Sequence, residues 1–425
     1  GMNNLQYYIL IGGGLVIIIF FMIFAGILPG RNSSAPANVT LEFWGVEDDN
    51  AIWRDTGEDL KKKYPHIAVN YQRFDRESYE ETLINRLAEG KGPDVFFLKN
   101  SWVIKHRDKI FPLPQQTFGY TTRDFRREFA DVAGEDIITK EGQILGLPLY
   151  IDTLAVFYNK DIFNTAGVAS FPQIWDELLE TVKKVTRKDA EGRIVRGGLA
   201  LGGARNIEHF FEILSALILQ NGDLIIDNAS PKVNLEERSK EAVQFYLSFA
   251  NPLSQNFSGN LGSKNSLDAL ADGSVAMAIG FSQDINRIRA KNPHLNLGIA
   301  PLPQVKDATD KNYGSYYFPA VSKLSRNPEA AWQFLFYIAS RDASGKYLEK
   351  TNRPAARRDL VATGAPTDEL DVFYRQSLTA QSWPIPDENS AKRIFRDMIE
   401  SAGSRSSSVE QAVNRAKEQL RLLLP

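Results

Sequence analysis

Residues 146–163 read GLPLYIDTLAVFYNKDIF. The centre of this stretch, Leu154–Tyr158, is a short apolar run with strand-forming residues, and it predicts a buried strand. Downstream, apolar residues recur at helical spacing, which predicts an amphipathic helix; they are Ile174, Trp175, Leu178, Leu179, Val182 and Val185. A strand followed by such a helix is typical of α/β architecture. We expect a second lobe to begin near Asp152.

The chain before this stretch alternates strands and helices in the same way. Strands are predicted at Val39–Trp44, Ile67–Phe74 and Val95–Leu98, and helices between them from Trp53 to Tyr64 and at Tyr79–Gly90. Each of these strands is followed by a polar loop. Open parallel sheets bind ligands at the carboxyl edge of their strands, so the pattern predicts a binding site there.

The chain after this stretch continues the α/β pattern to its end. Strands are predicted at Val275–Ile279 and Asn296–Ala300. Helices are predicted at Ile207–Gln220, Glu236–Ala250, Asn265–Asp272, Gln283–Lys291, Glu329–Ser340, Ser344–Lys350, Asp368–Ser377, Ala391–Ser401 and Val409–Leu424. The chain has 425 residues, which is too long for one compact domain and fits two lobes of ordinary size.

The amino-terminal segment Tyr7–Leu28 is uncharged and almost wholly apolar. As a helix it is roughly 33 Å long, enough to span a bilayer, so we predict a transmembrane anchor at 7–28 and a linker at 29–37. A cleaved signal is the alternative, because Ala35-Pro36-Ala37 lies where a signal peptidase could cut, although Pro36 makes it an imperfect site. Either way, we expect the globular part to lie outside the cytoplasm, and the anchor would hold it at the cell membrane.

Composition and motifs argue against several classes of function. The formal net charge is −2, from 50 basic and 52 acidic residues, so nothing favours a nucleic-acid partner. There are no cysteines, which excludes disulfides and cysteine-bound metals. The four histidines lack metal-ligand spacing, and no motif of a catalytic nucleophile, zinc protease or phosphate-binding loop is present. We therefore expect no metal, no cofactor and no enzymatic activity.

Five segments, in order, carry a resemblance to a known family. They are GKGPDVFFL at 90–98, the stretch at 146–163, FPQIWDEL at 171–178, ADGSVAMAIG at 271–280 and NPEAAWQFL at 327–335. Together they resemble the extracellular solute-binding proteins of ABC transporters, in the maltose-binding-like, carbohydrate-oriented group. The second segment is the most specific, since it is similar to the family's "G-l-P … l-x-Y-N-k-d-l-f" signature.

The resemblance implies an α/β, two-lobed periplasmic-binding-protein fold in which the chain crosses between the lobes three times. The crossings would lie near Leu149–Thr153, Tyr313–Ala320 and Thr351–Arg357. Lobe one would comprise residues 38–150 plus 318–353, and lobe two residues 151–313 plus 357–425. In such proteins the lobes close on a ligand held between them.

The resemblance and the loop positions together indicate candidate ligand-binding residues. These are Trp44, Glu47, Asp48, Asn100, Ser101, Trp102, Asp152, Phe281, Ser282, Gln283, Tyr316, Tyr317 and Trp383. The set combines flat aromatic rings with carboxylates and amides, as sugar sites do. An alternating strand points only one of Tyr316 and Tyr317 into the cleft. We expect Phe96, Phe97 and Phe157 in the core. Arg353 and Arg357-Arg358 are expected at a solvated junction, and contact with an anionic ligand is the alternative for them.

The function that follows is capture of a solute, most simply a sugar or oligosaccharide, and its delivery to ABC transporter permease subunits. A polyamine, polyol phosphate or peptide ligand on the same fold is the alternative. An anchored hydrolase would need two carboxylates facing each other across the cleft. A sensory ectodomain signalling through the anchor is a third possibility.

Overall fold

The computed structural model describes residues 4–24, 35–259 and 261–425. A first helix covers Asn4–Phe24, with side chains described from 12 to 22. The predicted anchor at 7–28 and linker at 29–37 therefore fall partly outside the described residues. Nowhere in the described chain is a helix both long and apolar enough to cross a membrane.

The first sheet is built from the opening strands and one late strand. Its order in space is Tyr317–Val321, Val95–Lys99, Val39–Val46 and Ile67–Phe74. The central strand Val39–Val46 runs parallel to both neighbours, whereas Tyr317–Val321 is antiparallel to Val95–Lys99. We call the part of the chain built on this sheet the first lobe. Its parallel strands bring their carboxyl ends to one edge, as the sequence predicted.

The second sheet defines the second lobe. Its order is Leu297–Pro301, Ala155–Asn159, Val275–Gly280, Ile194–Leu199 and Arg187–Lys188. The central strand Val275–Gly280 is parallel to Ile194–Leu199 and antiparallel to Ala155–Asn159. All six residues of Val275–Gly280 are buried. Such a strand is covered by helices on both faces, which explains its continuous apolar sequence.

A small third sheet and two bridges tie the segments between the lobes together. The sheet contains Ala380–Gln381, Asn312–Ser315 and Asp152–Thr153. Tyr150 forms a bridge with Ala355, and Phe129 forms one with Arg357. The three segments that the resemblance assigned to crossings therefore lie side by side in the structure.

Helices cover both sheets. Pro328–Ile338 and Arg341–Thr351 pack on the first lobe, while Glu388–Gly403 and Val409–Arg421 pack on the second. The remaining α-helices of the described residues are Asn50–Lys63, Arg76–Ala88, Val103–His106, Gln115–Phe118, Thr122–Glu128, Asp131–Ile137, Lys160–Thr165, Trp175–Val185, Phe210–Gln220, Glu237–Ser248, Ser266–Ala271, Asp284–Lys291, Arg358–Thr363 and Asp368–Gln376. Short 3₁₀ turns occupy Asn100–Trp102, Arg107–Lys109 and Ser377–Thr379, and a small hairpin pairs Ile225–Ile226 with Val233–Asn234.

Candidate ligand-binding cleft between the lobes

Loops at the carboxyl edge of the first sheet face the second lobe. Glu47 lies just after the first strand in a left-handed backbone conformation, with φ of 62°. Its carboxylate Oε2 is 2.8 Å from Nη2 of Arg76. The same Arg76 nitrogen donates to the side-chain oxygen of Gln283 over 2.7 Å, and Gln283 belongs to the second lobe. Two predicted site residues, Glu47 and Gln283, are thus joined across the cleft by a third residue.

A buried group of charges forms a second link between the lobes. Nζ of Lys99, at the end of a first-lobe strand, is 2.5 Å from Oε1 of Glu388 in the second lobe. Trp102 donates its indole N–H to the other oxygen of Glu388 over 2.7 Å. Lys392 lies 3.3 Å from Glu388 and 3.5 Å from Glu212. Burial alone would raise the pKa of Glu388, but the ammonium groups of Lys99 and Lys392 override it and hold that pKa well below its usual range.

Aromatic rings line the first-lobe side of this junction. Trp102 meets Tyr317 edge to face, with ring centroids 5.5 Å apart, and Trp102 also stacks on Tyr79 at 6.2 Å. Trp44 packs on Phe74 at 4.5 Å. The structure therefore brings Trp44, Trp102 and Tyr317 to the same lobe wall, as expected for residues at one sheet edge.

Asp48 lies inside the first lobe, where other side chains of the protein contact its carboxylate. It accepts hydrogen bonds from Trp53 over 3.3 Å and from Tyr347 over 2.8 Å, and Arg353 lies 3.0 Å away. The expectation that Arg353 is solvated was wrong: its side chain is 19% exposed and its guanidinium sits 4.4 Å above the ring of Tyr150. The ion pair with Asp48 and the ring contact stabilise this cation away from water.

Asp152 connects the first crossing to the loop after strand Val275–Gly280. Its oxygens accept from the backbone N–H of Ser282 over 3.0 Å, the hydroxyl of Ser282 over 2.7 Å and the backbone N–H of Gln283 over 3.3 Å. Burial raises the pKa of Asp152 to about 6. Phe281, in the same loop, packs against the ring of His209 at 4.8 Å. His209 in turn lies 2.7 Å from Asp284.

Tyr316 and Asn100 converge on a carboxylate that the sequence analysis missed. Tyr316 donates its hydroxyl to Asp136 over 2.7 Å, and the amide of Asn100 donates to the same oxygen over 3.1 Å. Ser382 donates to the other oxygen of Asp136. Tyr316, which lies just before the strand Tyr317–Val321, and Tyr317 therefore contact different groups.

The remaining predicted residues lie in different surroundings. Trp383 packs on Phe211 and Phe395 in the second lobe and donates its indole N–H to Ser215 over 3.1 Å. Trp383, Asn100 and Asp136 also line a cavity of about 590 Å³ at the junction of the lobes. Ser101 is buried, and its hydroxyl has no hydrogen-bond partner among the described residues. Phe96, Phe97 and Phe157 are buried in the core, which confirms the prediction.

Sequence reasoning missed most of the charged residues at the junction, namely Arg76, Lys99, Asp136, His209, Glu212, Asp284, Glu388 and Lys392. For two of them a signal was available. Lys99 directly follows the predicted strand Val95–Leu98, and Arg76 lies in the loop after the predicted strand Ile67–Phe74, so both occupy the ligand edge. Among the described residues there is no group of three or more acidic or histidine side chains able to hold a metal ion.

Comparison with known proteins identifies the family. Residues 44–344 match the model of the bacterial extracellular solute-binding proteins. The chain belongs to this family. The matched residues include the second sheet and three of the four strands of the first sheet in full.

Curated relatives of this solute-binding protein are similar along most of their length. The maltodextrin-binding protein MdxE of Bacillus subtilis (strain 168) is 24% identical over 303 residues, which cover 67% of this chain and 69% of that one. The lactose-binding protein of Rhizobium radiobacter is 25% identical over 358 residues, 79% of this chain and 78% of that one. These relatives are binding proteins rather than enzymes.

A solved structure shows the same fold. The cyclic α-maltosyl-1,6-maltose binding protein of Arthrobacter globiformis matches with a TM-score of 0.77 over 91% of this chain and 99% of that one, at 18% identity. The two-lobed α/β periplasmic-binding-protein fold of this solute-binding protein is therefore established.

Proposed function

We propose that this protein captures a sugar or oligosaccharide between its two lobes and delivers it to the permease of an ABC importer. The observation that carries the proposal is the pair of links across the cleft, Arg76 to Gln283 and Lys99 to Glu388. They lie at the carboxyl edge of a parallel sheet, where such folds bind ligands. Closure of the lobes around the solute would be the mechanism, with no bond chemistry.

The chemistry of the cleft wall supports a sugar. Trp44, Trp102 and Tyr317 are buried at this wall in the structure, and separation of the lobes would have to uncover their flat apolar faces for the C–H faces of a sugar ring. Glu47 and Gln283 offer carboxylate and amide groups for hydroxyls, and both are exposed at the edge of the junction. The maltodextrin- and lactose-binding relatives favour the same class of ligand.

We extend the proposal to the organisation of the chain. Residues 38–150 plus 318–353 would form lobe one, and 151–313 plus 357–425 lobe two, with three crossings as hinges. The uncharged segment 7–28 would hold the protein at the cell membrane with the lobes outside the cytoplasm. Fractionation of cells, with and without alkaline washing of the membranes, tests the tether: a protein released by washing, or found in the medium, would contradict it.

A thermal-shift panel of sugars, polyamines, phosphorylated polyols and peptides tests the ligand class. A ligand at 100 times its Kd adds about 2.7 kcal/mol to the free energy of unfolding and so raises Tm. We expect Tm to rise with one sugar class. Loss of the carboxylate in Glu47→Gln should weaken that sugar about tenfold, whereas Glu89→Gln, at an exposed helix end, should not change its Kd. A shift with polyamines or phosphates alone, or turnover of any panel member, would refute the proposal.

A further inference from the structure

A cavity of about 410 Å³ lies on the second lobe, outside the cleft between the lobes. Among the described residues, its lining falls wholly between positions 175 and 306 and includes none of the side chains that link the two lobes. The lining comes from the helices Trp175–Val185, Phe210–Gln220 and Glu237–Ser248 and from the loop at 304–306. Small-molecule sites usually have volumes of about 300–1,000 Å³, so this cavity is large enough for a ligand.

Phe245 gives this cavity a flat apolar wall. Its ring is half-buried, and the buried indole of Trp175 meets it edge to face with ring centroids 5.4 Å apart. Leu217, Ala242 and Val305 complete the apolar part of the lining. A half-exposed aromatic ring is a surface on which the C–H face of a sugar ring can pack.

Trp175 is held in place by buried hydrogen bonds. Its indole N–H donates to Oε1 of Gln220 over 2.8 Å. The amide nitrogen of Gln220 in turn donates to the carbonyl oxygens of Pro303 and Lys311, each over 3.0 Å. These contacts satisfy the only polar group of the Trp175 side chain and fix the ring that supports Phe245. The apolar wall is therefore ordered before a ligand binds, which lowers the entropic cost of binding.

Polar groups at the rim of the cavity remain available to a ligand. Asn221 donates its amide N–H to Oε2 of Glu241 over 3.2 Å and to the carbonyl oxygen of Arg238 over 2.7 Å. The oxygen of Asn221 and the second oxygen of Glu241 are left as acceptors. Asp176 and Lys306 are exposed, and neither side chain forms an ion pair or hydrogen bond within the part of the chain that the structure describes.

We propose that this cavity is a second saccharide-binding site, which holds one or two sugar rings on the second lobe. A ring packed on Phe245 would direct hydroxyl groups to Asn221, Glu241 and Asp176, and Lys306 would donate to a sugar oxygen. The charge of Lys306 at the same rim as the two carboxylates disfavours a cationic ligand. The inference goes beyond capture by lobe closure, because the site uses no residue of the first lobe.

The tryptophans allow one experiment to observe both sites. The full chain is labelled with fluorotryptophan, and the fluorine NMR resonances of its six tryptophans are assigned by single substitutions to phenylalanine. Trp175 reports on the proposed site, whereas Trp44 and Trp102 report on the cleft wall. The probes are maltotriose, cellotriose, xylotriose and mannotriose, with tetramethylammonium as a cationic probe and no sugar-based detergent present. We expect at least one trisaccharide to shift the Trp175 resonance in a saturable manner.

Three substitutions separate recognition from folding. Phe245→Leu keeps an apolar side chain but removes the ring, and Glu241→Gln keeps an acceptor for Asn221 but removes the charge. Each should raise the Kd measured at Trp175 by about fivefold or more and leave the responses of Trp44 and Trp102 unchanged. Glu237→Gln, at the exposed start of the same helix, is the matched control and should leave that Kd unchanged. The Tm of each unliganded variant checks its folding.

The outcomes distinguish this site from the cleft. A Trp175 response that Glu47→Gln abolishes together with those of Trp44 and Trp102 would mean that Trp175 only senses a ligand in the cleft, and would overturn the second site. A response to tetramethylammonium alone, no response to any trisaccharide, or the same Kd in Phe245→Leu, Glu241→Gln and the native chain would also overturn it. The proposed function fails separately, if the trisaccharides shift Trp175 but neither Trp44 nor Trp102.

Discussion

Lys99 of the first lobe and Glu388 of the second form an ion pair with 2.5 Å between Nζ and Oε1, although they are 289 residues apart in the chain. Their side chains are only 13% and 8% exposed. Glu388 also contacts Lys392 and the indole of Trp102. At the lobe junction, Glu388 thus has three donors around its carboxylate. Among the described residues, Lys99 forms no ion pair with any other carboxylate.

This arrangement predicts an order of stability between two variants. Glu388→Gln leaves the largely buried Lys99 and the partly exposed Lys392 with less negative charge beside them, and we expect a loss of about 3 kcal/mol in the free energy of unfolding. Lys99→Met removes a cation whose partner keeps Lys392 and Trp102, so it should cost less. Urea unfolding at neutral pH measures both.

Glu89→Gln is the control, because Glu89 pairs with Arg86 on the surface and should change stability by at most about 0.5 kcal/mol. Equal losses in Glu388→Gln and Lys99→Met would contradict the shared role of Glu388.

Gly146, which opens the signature stretch, is predicted to reject any side chain. A Cβ added there would lie 2.5 Å from both the ring of Phe318 and the carbonyl oxygen of Pro319. A backbone oxygen in a sheet strand cannot move far to relieve this clash, so Gly146→Ala should destabilise the protein by about 1–3 kcal/mol. Thermal unfolding compares it with the native chain.

Gly345→Ala is the matched control, and it should raise the stability of the protein rather than lower it. Gly345 lies inside helix Arg341–Thr351, and the nearest atom to an added Cβ is 3.9 Å away on Leu360. Alanine should therefore stabilise the helix by about 0.5–1 kcal/mol. If both alanine variants shift Tm in the same direction, the close contacts of Gly146 do not explain the effect of Gly146→Ala.

Local sequence patterns predicted the strands and helices that are determined by residues close together in the chain. The strands 39–46 and 67–74 and the helical stripe at 175–185 depend on neighbours a few residues away. The short helices between Val103 and Ile137 were missed, because four to seven residues are too few to show a period.

The candidate site was predicted only where loop position determines it. Trp44, Glu47, Trp102, Gln283 and Tyr317 meet at the sheet edge as expected, but whether they touch a ligand stays a prediction. The partners of Glu388 and the burial of Arg353 depend on residues hundreds of positions apart. The periodicity of apolar residues along the sequence carries no information about such long-range pairings, so they are visible only in the folded structure.

Asp136 gives a prediction about pH. Burial raises its pKa to about 6 from the model-peptide value of 3.8, although Ser382, Tyr316 and Asn100 donate to it. Between pH 4 and 6 the folded protein therefore binds more protons at this group than the unfolded chain does. The contribution of Asp136 to stability is most favourable below pH 4 and is lost as pH rises through 6.

Asp136→Asn should remove this dependence while it keeps the hydrogen bonds. The amide oxygen can accept from Tyr316 and Asn100, and the amide N–H can donate to the hydroxyl oxygen of Ser382. We expect the variant to match the native protein near pH 4 and to exceed it above pH 7 by on the order of 2 kcal/mol, measured as unfolding free energy at several pH values. Asp124→Asn should behave in the opposite way, because hydrogen bonds from Thr121 lower the pKa of Asp124 and stabilise its charged form at neutral pH. A gain in Asp136→Asn that is the same at pH 4 and pH 8 would mean that packing, not ionisation, accounts for it.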